Sequence, residues 1–255
     1  MKQNKFMIKA ITFDLWDTVF IDDTDEPKRK AAGRPSKPVE RRQLVKRFVD
    51  KHKQVSQEIV NAVYDAQDAA FRKVWHDQHI TWEVRDRMEI ILKGLDVKLP
   101  EDELSELVKL HEEMELEFRP NFVDGVHEAI KNLSKDYKLA VISDTIFSPG
   151  TVLRKLLEGE GLLQYFDTFV FSDEAGCSKP AECVFNAAQK GLGVEFNEMV
   201  HIGDREHNDI FGPKKMGMHS ILCLAALDRG SDRNNADAFF ENYSELPDLI
   251  KNLSS

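Results

Sequence analysis

The stretch Met7-Ile8-Lys9-Ala10-Ile11-Thr12-Phe13-Asp14-Leu15-Trp16-Asp17-Thr18 decides how the rest of the chain is read. From Met7 to Phe13 it is apolar or β-branched except at Lys9, and the run stops at an aspartate. A short, nearly continuous apolar run of this kind predicts a strand buried on both faces. Comparable runs recur at Lys138 to Ile142, Thr168 to Phe171, Met199 to Ile202 and Ser220 to Leu224. Stretches with helical spacing separate them, among them Ala181 to Lys190 and Asp209 to Met216. Strands alternating with helices predict the α/β class, a parallel sheet with helices on both faces.

Between the first two strands the alternation breaks. Ile59, Val63, Ala66, Ala70 and Val74 repeat at three to four residues, as do Val84, Met88, Ile91, Leu92 and Leu95. Pro100 opens a further helix that carries Leu104, Leu107, Val108 and Met114, with acidic residues in its first turn. The pattern predicts an all-helical block from about Val39 to Glu117. Ahead of it, Asp22 to Glu40 is polar and holds Pro27, Gly33, Pro35 and Pro38, so it reads as a loop or linker. Its basic residues Lys28, Arg29, Lys30, Arg34 and Lys37 are expected to be solvated, as charge runs usually are. The functional alternative is an anion-gathering loop close behind Asp14.

At 255 residues the chain is long enough for one large domain or a core plus a smaller one. A formal net charge of −10 argues against general binding to nucleic acid or to an anionic membrane, both of which need a basic surface. The start is polar and then only briefly apolar, with no signal-peptide pattern. The 3 cysteines cannot all pair within the chain, and none stands in a CxxC spacing. A reduced, cytoplasmic protein without structural zinc or a disulfide framework is the expectation. Oligomeric state is left open.

In open α/β sheets, ligands bind outside the carboxyl ends of the strands. The first strand ends at Asp14, with Trp16, Asp17 and Thr18 just beyond it. The second ends in Ser143-Asp144, and the fourth in Gly203-Asp204 followed by Asn208-Asp209. Lys179-Pro180 follows the third, before a helix. Carboxylates facing one another repel unless a cation holds them, and Mg²⁺ prefers such hard oxygen ligands. A carboxylate can attack phosphorus if the charge on the phosphoryl oxygens is neutralised.

Taken in order, Phe13-Asp14-x-x-x-Thr18, Ser143, Lys179-Pro180 and Gly203-Asp204-x-x-x-Asn208-Asp209 resemble the four motifs of the haloacid dehalogenase superfamily. The resemblance runs from about Met7 to Met218. It implies a Rossmann-like core at 1–21 and 119–255, and a helical C1 cap at 22–118 that closes over the cleft, with a basic linker at 22–40. It implies Asp14 as nucleophile and Mg²⁺ ligand, with the Trp16 carbonyl, Asp204 and Asp209 completing the metal site. Ser143 would bond a substrate phosphate and Lys179 would balance charge, with Asp17, Thr18, Asp144 and Asn208 near substrate or behind the ligands. The implied partner is a small phosphorylated metabolite.

The chain departs from the family in one place that matters. Phosphatases of the family usually read Asp-x-Asp-Gly-Thr, and the second Asp protonates the leaving group. Here Trp16 holds that position and Asp17 stands where glycine would. Proton donation is worth about 10²–10⁴-fold, so poor leaving groups would suffer most. Three readings fit the departure. One is a phosphatase for good leaving groups, or one that borrows an acid from His76, His79, Glu83 or His111 of the cap. Another is a metal-independent 2-haloacid dehalogenase, which carries an aromatic residue here and attacks carbon. The last is a weakened member that only binds ligand. Retention of Asp204, Asn208 and Asp209 favours the first, because a dehalogenase has no metal to hold. Trp75 and Trp82 are expected in the cap core, and His201 is expected to be buried and hydrogen-bonded.

Overall fold

The computed structural model describes residues 7–254. Its strands are β1 (Ala10–Phe13), β2 (Phe20–Ile21), β3 (Asn121–Phe122), β4 (Lys138–Ser143), β5 (Thr168–Phe171), β6 (Met199–Gly203), β7 (His219–Cys223) and β8 (Ala238–Phe240). Six of them form a sheet in the order β5-β4-β1-β6-β7-β8, with every pairing parallel. β1 is therefore central, and the chain reverses its direction of travel across the sheet beside it. That reversal opens a crevice at the carboxyl end of β1, which is where Asp14 stands.

β1 looks uniformly apolar because both of its faces are covered. Ile11 and Phe13 pack with Val126, Ile130, Val141, Leu153 and Leu246 on one side. Ala10 packs with Ile142, Phe185, Ala188 and Met199 on the other. The period of two divides one strand between two layers. The helices Val126–Leu133, Gly150–Gly159 and Leu246–Leu253 supply the first layer, and Glu182–Leu192 supplies the second.

Helices α1 (Glu26–Ala31), α2 (Lys37–Val49), α3 (Gln57–Gln78), α4 (Val84–Gly94), α5 (Glu101–Glu112) and α6 (Met114–Glu117) lie between β2 and β3. They build a hydrophobic cluster of their own around Val45, Phe48, Tyr64, Met88, Ile91 and Leu107. The two short strands that bracket this block pair antiparallel, Phe20 opposite Phe122 and Ile21 opposite Asn121.

Several expectations are corrected. The stretch 22–40 is not a loop, because α1 and the start of α2 lie within it, with Pro27 and Pro38 in their first turns. Proline lacks the N–H that a first helical turn leaves unbonded, so these residues start helices rather than break them. Two of its basic residues are buried, not solvated. Arg29 is paired with Glu40, and Lys37 Nζ lies 2.8 Å from Asp25 Oδ1 and 3.4 Å from Glu115 Oε1. On α3 the buried face is Val60, Tyr64, Gln67, Phe71 and Trp75, one residue from the predicted stripe, and Ile59 is exposed. Tyr64, Phe71 and Trp75 bury far more apolar area than Ala66 and Ala70, so the aromatic face turns inward.

Past β6 the expected helix over Asp209 to Met216 is a π-helical turn, Glu206–Phe211, followed by Gly212–Lys215. Cys177 and Cys183 are joined in a disulfide, contrary to the expectation of free thiols, while Cys223 is free and buried. The intervening turn, closed by Ala181 N donating to Ser178 O, brings the pair together. No helix among the described residues is long and apolar enough to cross a membrane.

Candidate active site

The site starts from backbone pairing. Asp14 N donates to Ile202 O at 2.8 Å, which ties the residue after β1 to β6. β6 continues through Gly203 to Asp204, and the π-helical turn then brings Asp209 back toward the strand end. Gly203 makes that return possible: a Cβ there would lie 2.3 Å from Asp209 Cγ. Arg205 N donates to Asp209 Oδ2 at 2.9 Å and fixes the carboxylate. Oxygens of Asp14, Asp204 and Asp209 all lie within 4.8 Å of one another, and all three residues are buried.

Lys179 is placed among them from the turn before helix Glu182–Leu192. Its Nζ is 2.8 Å from Asp14 Oδ1 and 2.6 Å from Asp209 Oδ1. Burial alone would lower the Lys179 pKa, but the charges of Asp14 and Asp209 outweigh it and hold the ammonium protonated. Burial likewise works against the Asp209 carboxylate, yet Lys179 and His201 pull it well below the usual range. Asp14 is pushed upward, chiefly by burial. Asp204 rises to about 7, through burial first and then the charges of Asp209 and Asp14. Asp14 and Asp209 thus share one ammonium, Asp204 is paired with Arg229 instead, and Asp204 Oδ1 is buried without a hydrogen-bond partner. A hard divalent cation with oxygen preference fits that donor set.

The remaining motif residues sit close by in distinct roles. Asp144 accepts from Lys179 N at 2.9 Å and from Asn208 Nδ2 at 3.2 Å, and burial lifts its pKa to about 7. Asn208 therefore orients Asp144 rather than joining the carboxylate cluster. Ser143 is buried and its Oγ donates only a long 3.5 Å bond to Asp144 O. Thr18 is buried, and its carbonyl accepts from Tyr243 Oη at 2.6 Å. Asp17 binds Arg229, with Nη2 at 2.5 Å from Oδ2, and Arg229 Nε also donates to Asp204 Oδ2. His201 is buried as expected, with Nδ1 2.7 Å from Thr12 Oγ1 and Nε2 3.1 Å from Asp209 Oδ1.

A cavity of about 210 Å³ opens over Asp14 between the sheet edge and the helical block. Asp14, Asp144, Lys179, Asn208 and Asp209 form its floor, with Trp16 and Arg205 beside them. The helical block contributes Lys37, Arg41, Trp75 and Glu115. Trp75, expected in the helical core, therefore also faces the cavity. Trp16 packs edge-on against Phe20, with centroids 4.6 Å apart. None of the histidines suggested as acid donors lines this cavity. His76 and His79 line a neighbouring one with His207, and Glu83 lines another. His111 is fully buried beneath Tyr64 rather than exposed.

Arg41, Glu115 and Arg229 carry no motif, and sequence reasoning missed their place at the site, whereas Lys37 belongs to the basic run whose alternative reading is an anion-gathering loop. That run was the nearest signal. Arg41 is buried, its guanidinium lies 3.6 Å over the Phe147 ring, and its Nε has no hydrogen-bond partner.

A family model for haloacid dehalogenase-like hydrolases matches residues 8–217. The chain belongs to that family. Over 119 residues it is 32% identical to the haloacid dehalogenase-like hydrolase domain-containing protein 3 of Mus musculus, covering 46% of each chain. Over 98 residues it is 32% identical to the glyceraldehyde 3-phosphate phosphatase of Methanocaldococcus jannaschii, covering 36% of this chain and 41% of the relative. The chain thus spans about half the length of the curated relatives it matches. Two solved haloacid dehalogenase-like structures share the fold over nearly their whole length. The 2-haloacid dehalogenase of Pseudomonas syringae pv. Tomato superposes with a TM-score of 0.69 at 23% identity, over 96% of this chain and 99% of that one. The HAD phosphatase of Thermococcus onnurineus superposes at 0.63 and 23%, over 95% and 98%. One fold hosts both chemistries, so the choice between them must come from the site.

Proposed function

We propose that this hydrolase is a Mg²⁺-dependent phosphatase that acts on a small phosphorylated metabolite through an aspartyl-phosphate on Asp14. The observation that carries this reading is the convergence of Asp14, Asp204 and Asp209 within 4.8 Å, with Asp204 Oδ1 left unpartnered. Attack on carbon with loss of halide needs no such cluster. Matched relatives that bear phosphatase names add support, among them the glyceraldehyde 3-phosphate phosphatase described above.

In the proposed reaction an Asp14 oxygen forms a bond to phosphorus as the ester oxygen leaves. Water then attacks phosphorus, which releases inorganic phosphate and restores the carboxylate. Mg²⁺, held by Asp14, Asp204 and Asp209, would neutralise charge on the phosphoryl oxygens. Lys179 holds the attacking carboxylate in place and adds a positive charge beside it. Trp16 has no proton for the leaving oxygen, so acyl and other good leaving groups are favoured over simple alcohols.

The helical block over 22–118 acts in this reading as the cap that sets substrate choice. A cavity of about 210 Å³ suits a metabolite of a few carbons rather than a drug-sized molecule. A polar oxygen on the substrate tail would satisfy the buried Arg41 Nε.

The test is release of inorganic phosphate from acetyl phosphate, p-nitrophenyl phosphate and a panel of small sugar phosphates, with Mg²⁺ and with EDTA. Chloride release from 2-chloropropionate is measured alongside. Phosphate release that needs Mg²⁺ and vanishes in Asp14→Asn is expected. Chloride release indifferent to EDTA would sink the proposal.

A further inference from the structure

Arg229 stands on the segment after β7, remote in sequence from every motif, yet its guanidinium bridges two of the site's carboxylates. Nε donates to Asp204 Oδ2, and Nη2 donates to Asp17 Oδ2 at 2.5 Å. Asp17 is itself held by its surroundings. It adopts a left-handed backbone conformation (φ 53°), which aspartate tolerates better than most residues, and its Oδ1 accepts from Asp22 N at 3.0 Å. Both oxygens of Asp17 are thus engaged, and Arg229 is anchored at one end to a fixed carboxylate. At the other end it engages one oxygen of Asp204 and leaves only buried Oδ1 without a partner.

We propose that Arg229 is a positioning residue that restricts Asp204 to one-oxygen ligation and thereby makes the site prefer Mg²⁺ over Ca²⁺. The inference rests on the metal-dependent reading of the site. Mg²⁺ demands octahedral geometry with oxygens at about 2.0–2.1 Å, which single-oxygen carboxylates satisfy. Ca²⁺ takes about six to eight oxygens at longer distances and gains from carboxylates that present both. An Asp204 with its second oxygen committed to Arg229 withholds that extra ligand from the larger ion. The arrangement also explains the acid at position 17. An aspartate there keeps the backbone conformation that glycine provides elsewhere, and adds the anchor that the arginine needs.

The experiment is calorimetric titration of metal-free protein with Mg²⁺ and, separately, with Ca²⁺, for wild type, Arg229→Met and Arg229→Lys. The Mg²⁺/Ca²⁺ affinity ratio is expected to fall by about tenfold in Arg229→Met, a typical effect for an outer partner of a metal ligand. Arg229→Lys, which can keep one of the two contacts, should fall between. Simple removal of a positive charge would tighten both ions by a similar factor, so an unchanged ratio overturns the clamp. If Arg229→Met does not fold, Asp17→Asn loosens the same clamp from its anchored end and is read by the same ratio. Wild type that binds neither ion would overturn the metal-dependent reading and this one together. Wild type that binds Mg²⁺ while no variant moves the ratio overturns this one alone.

Discussion

At the scale of single residues, the site depends on side chains that are not there. Gly203 has no Cβ, and this alone lets Asp209 fold back against β6 to meet Lys179 and His201. In Gly203→Ala the new methyl must displace the Asp209 carboxylate or the turn that carries it. Overpacking of this kind costs about 1–3 kcal/mol, to be read from a urea unfolding midpoint. A loss of phosphate release beyond the loss of stability is expected, because Lys179 loses one of its two anionic partners. Retention of full turnover would show that Asp209 can sit elsewhere and still serve. The residues flanking strand ends, namely Asp14, Lys179, Asp204 and Asp209, were legible because motif spacing places them. Arg229 and Arg41 were not, since they reach the site from segments whose local sequence carries no sign of where they end.

Among elements, helices show what periodicity can and cannot say. α4 and α5 bury the residues their spacing predicts, from Val84 and Met88 to Leu104 and Leu107. α3 instead turns by one residue, because equal counting of apolar positions ignores that Tyr64, Phe71 and Trp75 outweigh alanines. The polar stretch 22–40, which runs into α2, misled for a related reason. Its prolines and charges suggest a loop, whereas tertiary pairing of Arg29 and Lys37 converts it to helix. Within α5, burial drives the His111 pKa down to about 3, and Nδ1 lies 2.8 Å from Leu107 O. Its ordinary value is about 6.5, so the unfolded chain binds the extra proton between those two values. Stability is therefore lost as pH falls below about 6.5, by up to about 1.4 kcal/mol per pH unit from this group. Urea midpoints from pH 7 to pH 5 should drop more steeply for wild type than for His111→Leu. Parallel slopes would mean that His111 is not held neutral in the folded protein.

For the whole molecule, the parallel sheet and the helical insertion follow from patterning, and the strand segments read from sequence lie within a few residues of the observed ones. β8 and the β2–β3 pair were not read, because elements of two or three residues carry no period. Long-range ties were equally invisible. Tyr243 Oη donates to Thr18 O, which joins the segment after β8 to the loop directly behind Asp14. Tyr243→Phe leaves that buried carbonyl unpaired, at a cost of about 1–3 kcal/mol. Lower thermal stability is expected, together with a reduced kcat, since the loop carrying Trp16 and Asp17 loses its support. A kcat equal to wild type would confine Tyr243 to a purely structural part.

β1, with a hydrogen-bonded strand on each side and helices above and below, has a consequence for how the protein comes apart. Backbone amides exchange with solvent deuterium only when their bonds open, and the most enclosed strands open only with the whole molecule. The amides from Ile11 to Asp14 should therefore be among the slowest to exchange, while those around Arg229, on a loop near the sheet edge, should exchange early. Near denaturing conditions the candidate site would then disassemble from one side. The arginine would release Asp204 first, and Asp14 would be the last group to lose its place.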